Sequence, residues 1–176
     1  MSTQVLNKYK TLEPLEFQES FLKKEQREDG RNFNEFRPSS LQLGIVTTAH
    51  GSALAKIGNT TSLASVKGEL CQPDVSAADK GFVILKLDGS NLSETQQLHL
   101  TRIQVILNQI LARESFLSLK SLCIDKATLS WCLYVDVQCL DADGALFDTA
   151  LLALVAALSD TKLPAVSVPP PDPTLE

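Results

Sequence analysis

LQLGIVTTAHGSALAKIGNTTSLASVKGE, residues Leu41–Glu69, is the stretch that decides the fold. Leu41, Leu43 and Ile45 alternate with Gln42 and Gly44, the period of a half-buried strand. His50-Gly51 marks a tight turn, because glycine accepts a positive φ, and Ala53–Ile57 is the return strand. Gly58-Asn59 is a second turn, followed by a third strand over Thr61–Lys67. The result is an antiparallel meander. Arg27-Glu28-Asp29-Gly30-Arg31, a Gly-containing turn, leads into it.

Working outward, Leu12, Leu15, Phe17, Phe21 and Leu22 stand at near-helical spacing, and Pro14 suits a first helical turn. They predict an amphipathic helix over Leu12–Lys24, either a lid over the domain edge or a surface that packs on a neighbouring subunit. Cys71–Lys80 is polar, contains Pro73 and reads as a loop; Phe82–Leu87 is a fourth strand. Ser93-Glu94-Thr95-Gln96 has the capping-box pattern, and Ile103, Ile106, Leu107, Ile110 and Leu111 form an apolar face behind it. A helix over Glu94–Arg113 follows. Thr128–Cys139 places Leu129, Trp131, Leu133, Val135, Val137 and Cys139 on one face of a strand and polar residues on the other. After the Asp141–Gly144 turn, Asp148 is expected to cap a buried helix over Thr149–Leu158. Val168-Pro169-Pro170-Pro171-Asp172-Pro173 cannot extend a helix or a central strand. It reads as an extended tail, either a disordered end or a Pro-rich ligand for an aromatic groove. The fold class is α/β (α+β), a mixed sheet with helices packed on one face.

A length of 176 residues suggests one domain, and 44% hydrophobic with 21% charged residues is an ordinary globular composition. The net charge of −5 argues against strong stand-alone binding to nucleic acid, which depends on basic side chains at phosphates. The polar start, Met1–Lys10, lacks the apolar core of a signal peptide, and the apolar run Ala150–Leu158 is too short to span a bilayer. A soluble intracellular protein is expected. Cys71, Cys123, Cys132 and Cys139 form no CxxC pair and are expected to be reduced thiols; with only His50 and His99 as histidines, no zinc site is expected.

No catalytic constellation stands on its own: there is no GxGxxG, no P-loop lysine and no GxSxG. Asp141 and Asp143 lie in a tight turn, where short polar side chains satisfy backbone donors. Asp136 is expected to be solvated or Arg-paired, with a buried functional carboxylate as the alternative. His50, at a hairpin tip, is expected to be exposed and idle.

Arg27–Arg31, Phe36-Arg37-Pro38, Gly51-Ser52-Ala53 and Gly58-Asn59-Thr60 together resemble the opening of the RNase PH family. The resemblance spans about Leu12 to Leu163 and returns over Leu133-Tyr134-Val135-Asp136 through Asp143-Gly144 and the helix that follows. Gly51–Thr61 is most similar to ring subunits of the eukaryotic RNA exosome. The resemblance implies an RNase PH-type sheet containing a βαβ unit with a left-handed crossover. It divides the chain into an N-terminal helical arm (1–28), the first half of an RNase PH-like domain (29–164) and a Pro-rich tail (165–176). Asp29, Gly30, Arg31, Gly51, Gly58 and Asn59 are then the structural turn motifs.

Catalytic members of the family cut RNA from the 3′ end with inorganic phosphate as nucleophile, and arginines near the start of the first long helix help to hold RNA. Here Lys86–Gln97 contains no arginine; the nearest, Arg102 and Arg113, are the RNA-contact candidates. Without an arginine cluster, developing phosphoryl charge meets no fixed donors. No catalytic residue, metal or cofactor is therefore expected. Asp88–Leu92 is shorter than in the family, and the chain stops where the second half would begin, which implies an isoform, a fragment or a shortened product. An exposed sheet edge or helix face would follow.

The resemblance implies a non-catalytic ring subunit of the RNA exosome, supporting 3′-to-5′ RNA processing and decay in nucleus, nucleolus and cytoplasm. Its partners would be other RNase PH-like ring subunits and cap subunits, with RNA reached through the assembled complex and no membrane. The alternatives are a phosphate-dependent 3′-to-5′ exoribonuclease subunit and a truncated isoform that competes for ring partners.

Overall fold

The computed structural model describes residues 3–90 and 92–167, so most of the expected Pro-rich tail lies outside the described residues. The chain divides into two compact units between Pro38 and Ser39. In the first, the helix expected over Leu12–Lys24 is present as α2 (Pro14–Leu22), and an unpredicted helix, α1 (Thr3–Leu12), precedes it. The break falls at Glu13, with φ −130° and ψ 68°, because the residue before a proline is pushed out of the helical region. Phe17 is buried at this corner, edge-on to Tyr9 and Phe21 with ring centroids 5.8 and 5.0 Å away. The Asp29–Arg31 turn closes the unit. Gly30 has φ +85°, and the Arg27 N–H donates to the Arg31 carbonyl at 2.8 Å.

The second unit is a six-stranded mixed sheet. Its strands are β1 (Ser39–Leu43), β2 (Gly51–Ile57), β3 (Thr60–Cys71), β4 (Phe82–Gly89), β5 (Cys123–Asp125) and β6 (Leu129–Asp141). The order is β1-β2-β3-β6-β4, with β5 also paired to β6. β4 and β6 run parallel and are joined through helix α3 (Glu94–Leu111); the other pairs are antiparallel. The expected meander is present as β1, β2 and β3. β1 starts two residues earlier than predicted and is exposed along its length, not half-buried, because it forms the sheet edge and Gly44, at φ +68°, stops it. β3 runs on to Cys71, and β5 went unpredicted, three residues being too few to show a period.

The main hydrophobic cluster of this unit lies on one face of the sheet. Val135, Val137 and Cys139 of β6, Leu85 and Leu87 of β4, Val66 and Ala64 of β3 and Ala53 and Ala55 of β2 are buried together. Helix α4 (Leu146–Asp160) lies over β2 and β3, and α3 lies against β4 with Leu100, Ile103, Leu107 and Leu111 buried. The expected capping box is formed: the Ser93 hydroxyl accepts from the Gln96 N–H at 3.4 Å, and the Gln96 side chain accepts from the Ser93 N–H at 2.9 Å. Asp148 does not cap α4. The helix begins at Leu146 behind Ala145, which is left-handed at φ 52° and gives no side-chain cap. Asp148 instead adds negative charge to the first turn, where the helix dipole favours it.

Gly51 departs from its expected role. It is the buried first residue of β2, and the connection occupies residues 44–50. Glycine is required there by close approach: a Cβ would lie 2.6 Å from the Thr161 Cα and backbone N. Gly51→Ala is expected to destabilise the fold by about 1–3 kcal/mol through this overlap, read as a lower urea midpoint with unchanged slope.

Candidate functional site

The β2–β3 hairpin grips α4 at both ends. At the first end, Gly58 turns the chain at φ +62° and delivers Asn59 and Thr60. The Thr60 hydroxyl accepts from the Asp143 N–H at 2.9 Å and donates to the Gly144 carbonyl. Asn59 Nδ2 donates to Asp143 Oδ2 at 2.9 Å. These bonds fix the turn from which α4 starts. At the other end, the Ser52 N–H donates to Asp160 Oδ2 at 3.2 Å, and the Lys162 N–H donates to the His50 carbonyl at 2.9 Å. His50 is half-buried and occupied, contrary to the sequence expectation: its Nδ1 accepts the Gly68 N–H at 3.0 Å.

Beside the start of α4, the first turns of α3 complete a cavity of about 440 Å³ lined by Gln96, His99, Ile103, Leu146 and Phe147, among others. Gln96 Nε2 donates across it to the Ala142 carbonyl at 3.1 Å. No lysine or arginine lines this cavity. Over the described residues from 86 to 97 the one cation is Lys86, and its ammonium pairs with Asp88 at 2.7 Å. The hydrogen bond to Asp88 raises the Lys86 pKa.

Arg102 is exposed on α3, and Arg113 is exposed just past its end. Neither makes a side-chain hydrogen bond or ion pair among the described residues. From Arg102 to the end of α3 at Leu111, nine steps (111 − 102), the helical rise is roughly 13 Å, so Arg102 and Arg113 do not form one cluster. Arg31 is committed elsewhere. It pairs with Asp29 at 2.8 Å and donates to the Glu35 carbonyl at 2.8 Å, and its hydrogen bond is the main cause that lowers the Asp29 pKa. The Asp-Gly-Arg motif thus holds its own loop. Asp136 is exposed on the face away from the core, in register with Lys86 and Ser65. Among the described residues no three side chains converge as metal ligands.

Sequence reasoning missed the His50 and Thr60 contacts. Both bridge residues far apart in the chain, and a threonine after a turn carries no local sign of its partner.

The 3′ exoribonuclease family profile, domain 1 (RNase PH), matches residues 35–164. The chain belongs to this family. It is 32% identical over 166 residues to the exosome complex component rrp43 of Schizosaccharomyces pombe, covering 89% of this chain and 60% of that protein. It is 31% identical over 152 residues to the exosome complex component Rrp42 of Methanothermobacter thermautotrophicus, covering 81% of this chain and 55% of that protein. Among solved structures, the Archaeoglobus fulgidus exosome with RNA bound to the active site matches at a TM-score of 0.75 and 29% identity, over 85% of this chain and 61% of that one. An archaeal exosome core matches at 0.72 and 30% identity, over 85% and 58%. The chain therefore spans less than two thirds of the length of these relatives. The likeness bears out the RNase PH-type fold read from the sequence.

Thr60→Val removes both hydroxyl bonds at nearly constant shape and strands partly buried groups on Asp143 and Gly144. It is expected to cost about 1–3 kcal/mol by urea denaturation, whereas Thr61→Val, on the opposite face, is expected to cost far less. A pH dependence follows from the Lys80–Glu114 pair, 2.6 Å apart. The hydrogen bond between them lowers the Glu114 pKa and raises the Lys80 pKa. The contribution is present between the ordinary Glu and Lys ranges. It is lost as pH falls through the lowered Glu114 value or rises through the raised Lys80 value. The stability difference between wild type and Glu114→Gln is expected to shrink in acid, as measured by urea midpoints across pH.

Proposed function

We propose that the chain is a non-catalytic structural component of an RNA exosome ring. It would assemble with other RNase PH-like subunits and cap subunits and support 3′-to-5′ RNA processing and degradation, including rRNA processing and mRNA decay, in nucleus, nucleolus and cytoplasm. One observation carries the absence of catalysis: the approach to α3 holds no arginine, and its one lysine is neutralised by Asp88. Family members hold RNA with arginines near this helix, and phosphorolysis needs fixed cations where phosphoryl charge develops, so the lack of arginine here supports the non-catalytic reading. The likeness to exosome components and exosome cores supports the assembly. The net charge of −5 leaves RNA to be held by partners, with Arg102 and Arg113 as isolated contacts at most.

The reading is tested by tagging the chain, purifying it gently and assaying it with phosphate and single-stranded RNA. RNase PH-like partners should co-purify, and the chain alone should release no nucleoside diphosphates. Phosphate-dependent release by the chain alone, abolished by Arg102→Ala, would overturn the non-catalytic assignment. Recovery without any RNase PH-like partner would overturn the assembly.

A further inference from the structure

We infer that Cys71 and Cys132 form a two-coordinate site for a soft monovalent cation, copper(I), on the face of the sheet away from the core. The β3–β6 register pairs Glu69 with Cys132 and Cys71 with Ser130. Cys71 and Cys132 are therefore diagonal neighbours on one face. Cys71 Sγ stands 3.4 Å from Ser130 Oγ, and Tyr134 lies two residues beyond Cys132 on the same face of β6. Cys132 is buried and Cys71 half-buried, and Tyr134, on the same face, is 37% exposed. Neither thiol is in a disulfide.

Distances decide what this pair can do. Diagonal cross-strand Cα atoms lie about 7–8 Å apart, at or beyond the ~7 Å that a disulfide spans without backbone movement. Direct oxidation to an S–S bond is thus opposed by the sheet. An ion bound at about 2.3 Å from each sulfur holds them about 4.6 Å apart, a separation that side chains diagonal on one face of a strand pair can reach. Ligand number then selects the ion. A structural zinc takes four ligands in a tetrahedron, and among the described residues no three ligating side chains converge. Soft thiolates favour copper(I), which two of them satisfy in a linear arrangement. Binding releases the two thiol protons to solvent, and Glu69, in register with Cys132, adds negative charge beside the cation. The other thiols stay outside: Cys123 Sγ points to the Ala78 carbonyl at 3.9 Å, and Cys139 faces the core against Ser62 at 3.6 Å.

The test is an anaerobic titration of the purified full chain with copper(I) in competition with bicinchoninate. Wild type and Cys123→Ser should each take one equivalent, and Cys71→Ser and Cys132→Ser should lose it while keeping the wild-type circular dichroism spectrum. X-ray absorption of the copper-loaded protein should show two sulfur neighbours. Three outcomes would overturn the site: no capture by wild type, undiminished capture by Cys71→Ser, or equal loss in Cys123→Ser.

Discussion

A seam of small residues between α4 and the β2–β3 hairpin is the constraint on which the rest of the structure depends. Ala53, Ala55 and Ala64 of the sheet and Ala150, Ala153 and Ala157 of the helix are all fully buried. Alanine on both sides lets helix and sheet approach closely, and a well-packed interior of this kind accepts no added methylenes without strain. Polar contacts then fix where the helix sits along the seam. Thr60 and Asn59 hold its start, Ser52 and His50 hold its end, and Gly51 makes room for Thr161. The hairpin and α4 therefore behave as one block onto which β6, β4 and α3 are added.

This block explains what the remaining surfaces offer. With the main hydrophobic cluster on one side of the sheet, the opposite side carries Lys67, Glu69, Tyr134, Lys86 and Asp136, a mixed and nearly neutral surface that offers phosphates no cluster of cations. On α3, Leu98, Val105 and Ile106 are exposed, as is Ile84 on β4. In the proposed ring these apolar side chains suit contact with other protein surfaces better than contact with RNA. The carboxylates and lysines near α3 cancel in pairs, Lys86 with Asp88 and Lys80 with Glu114. The functional reading is thus one of shape and assembly.

The legible parts of this fold were those written in local order. The alternation along β6 gave its buried face, and Ser93 with Gln96 gave the start of α3, because each signal lies within a few residues. Family resemblance supplied the architecture that periodicity left open. What could not be read depends on contacts between distant residues or on conformations against type. Ala145 at positive φ starts α4 three residues before the expected Asp148 cap. Pro14 opens α2, as its place in a first helical turn predicted, but the separate helix α1 that ends at Leu12 was not read. His50 looked idle because its partner, the Gly68 N–H, comes from β3, eighteen residues further on. The candidate site was legible mainly as a lack, the missing arginines between Lys86 and Gln97, whereas the Thr60 clasp left no trace in local sequence.

The central claim is that hairpin and helix open together. Native-state hydrogen exchange of the backbone amides measures this directly. The account predicts that amides of α4, β2 and β3 exchange through a common opening with the same free energy and the same dependence on denaturant. Exchange of α4 at a distinctly lower free energy, with β2 and β3 still protected, would contradict it.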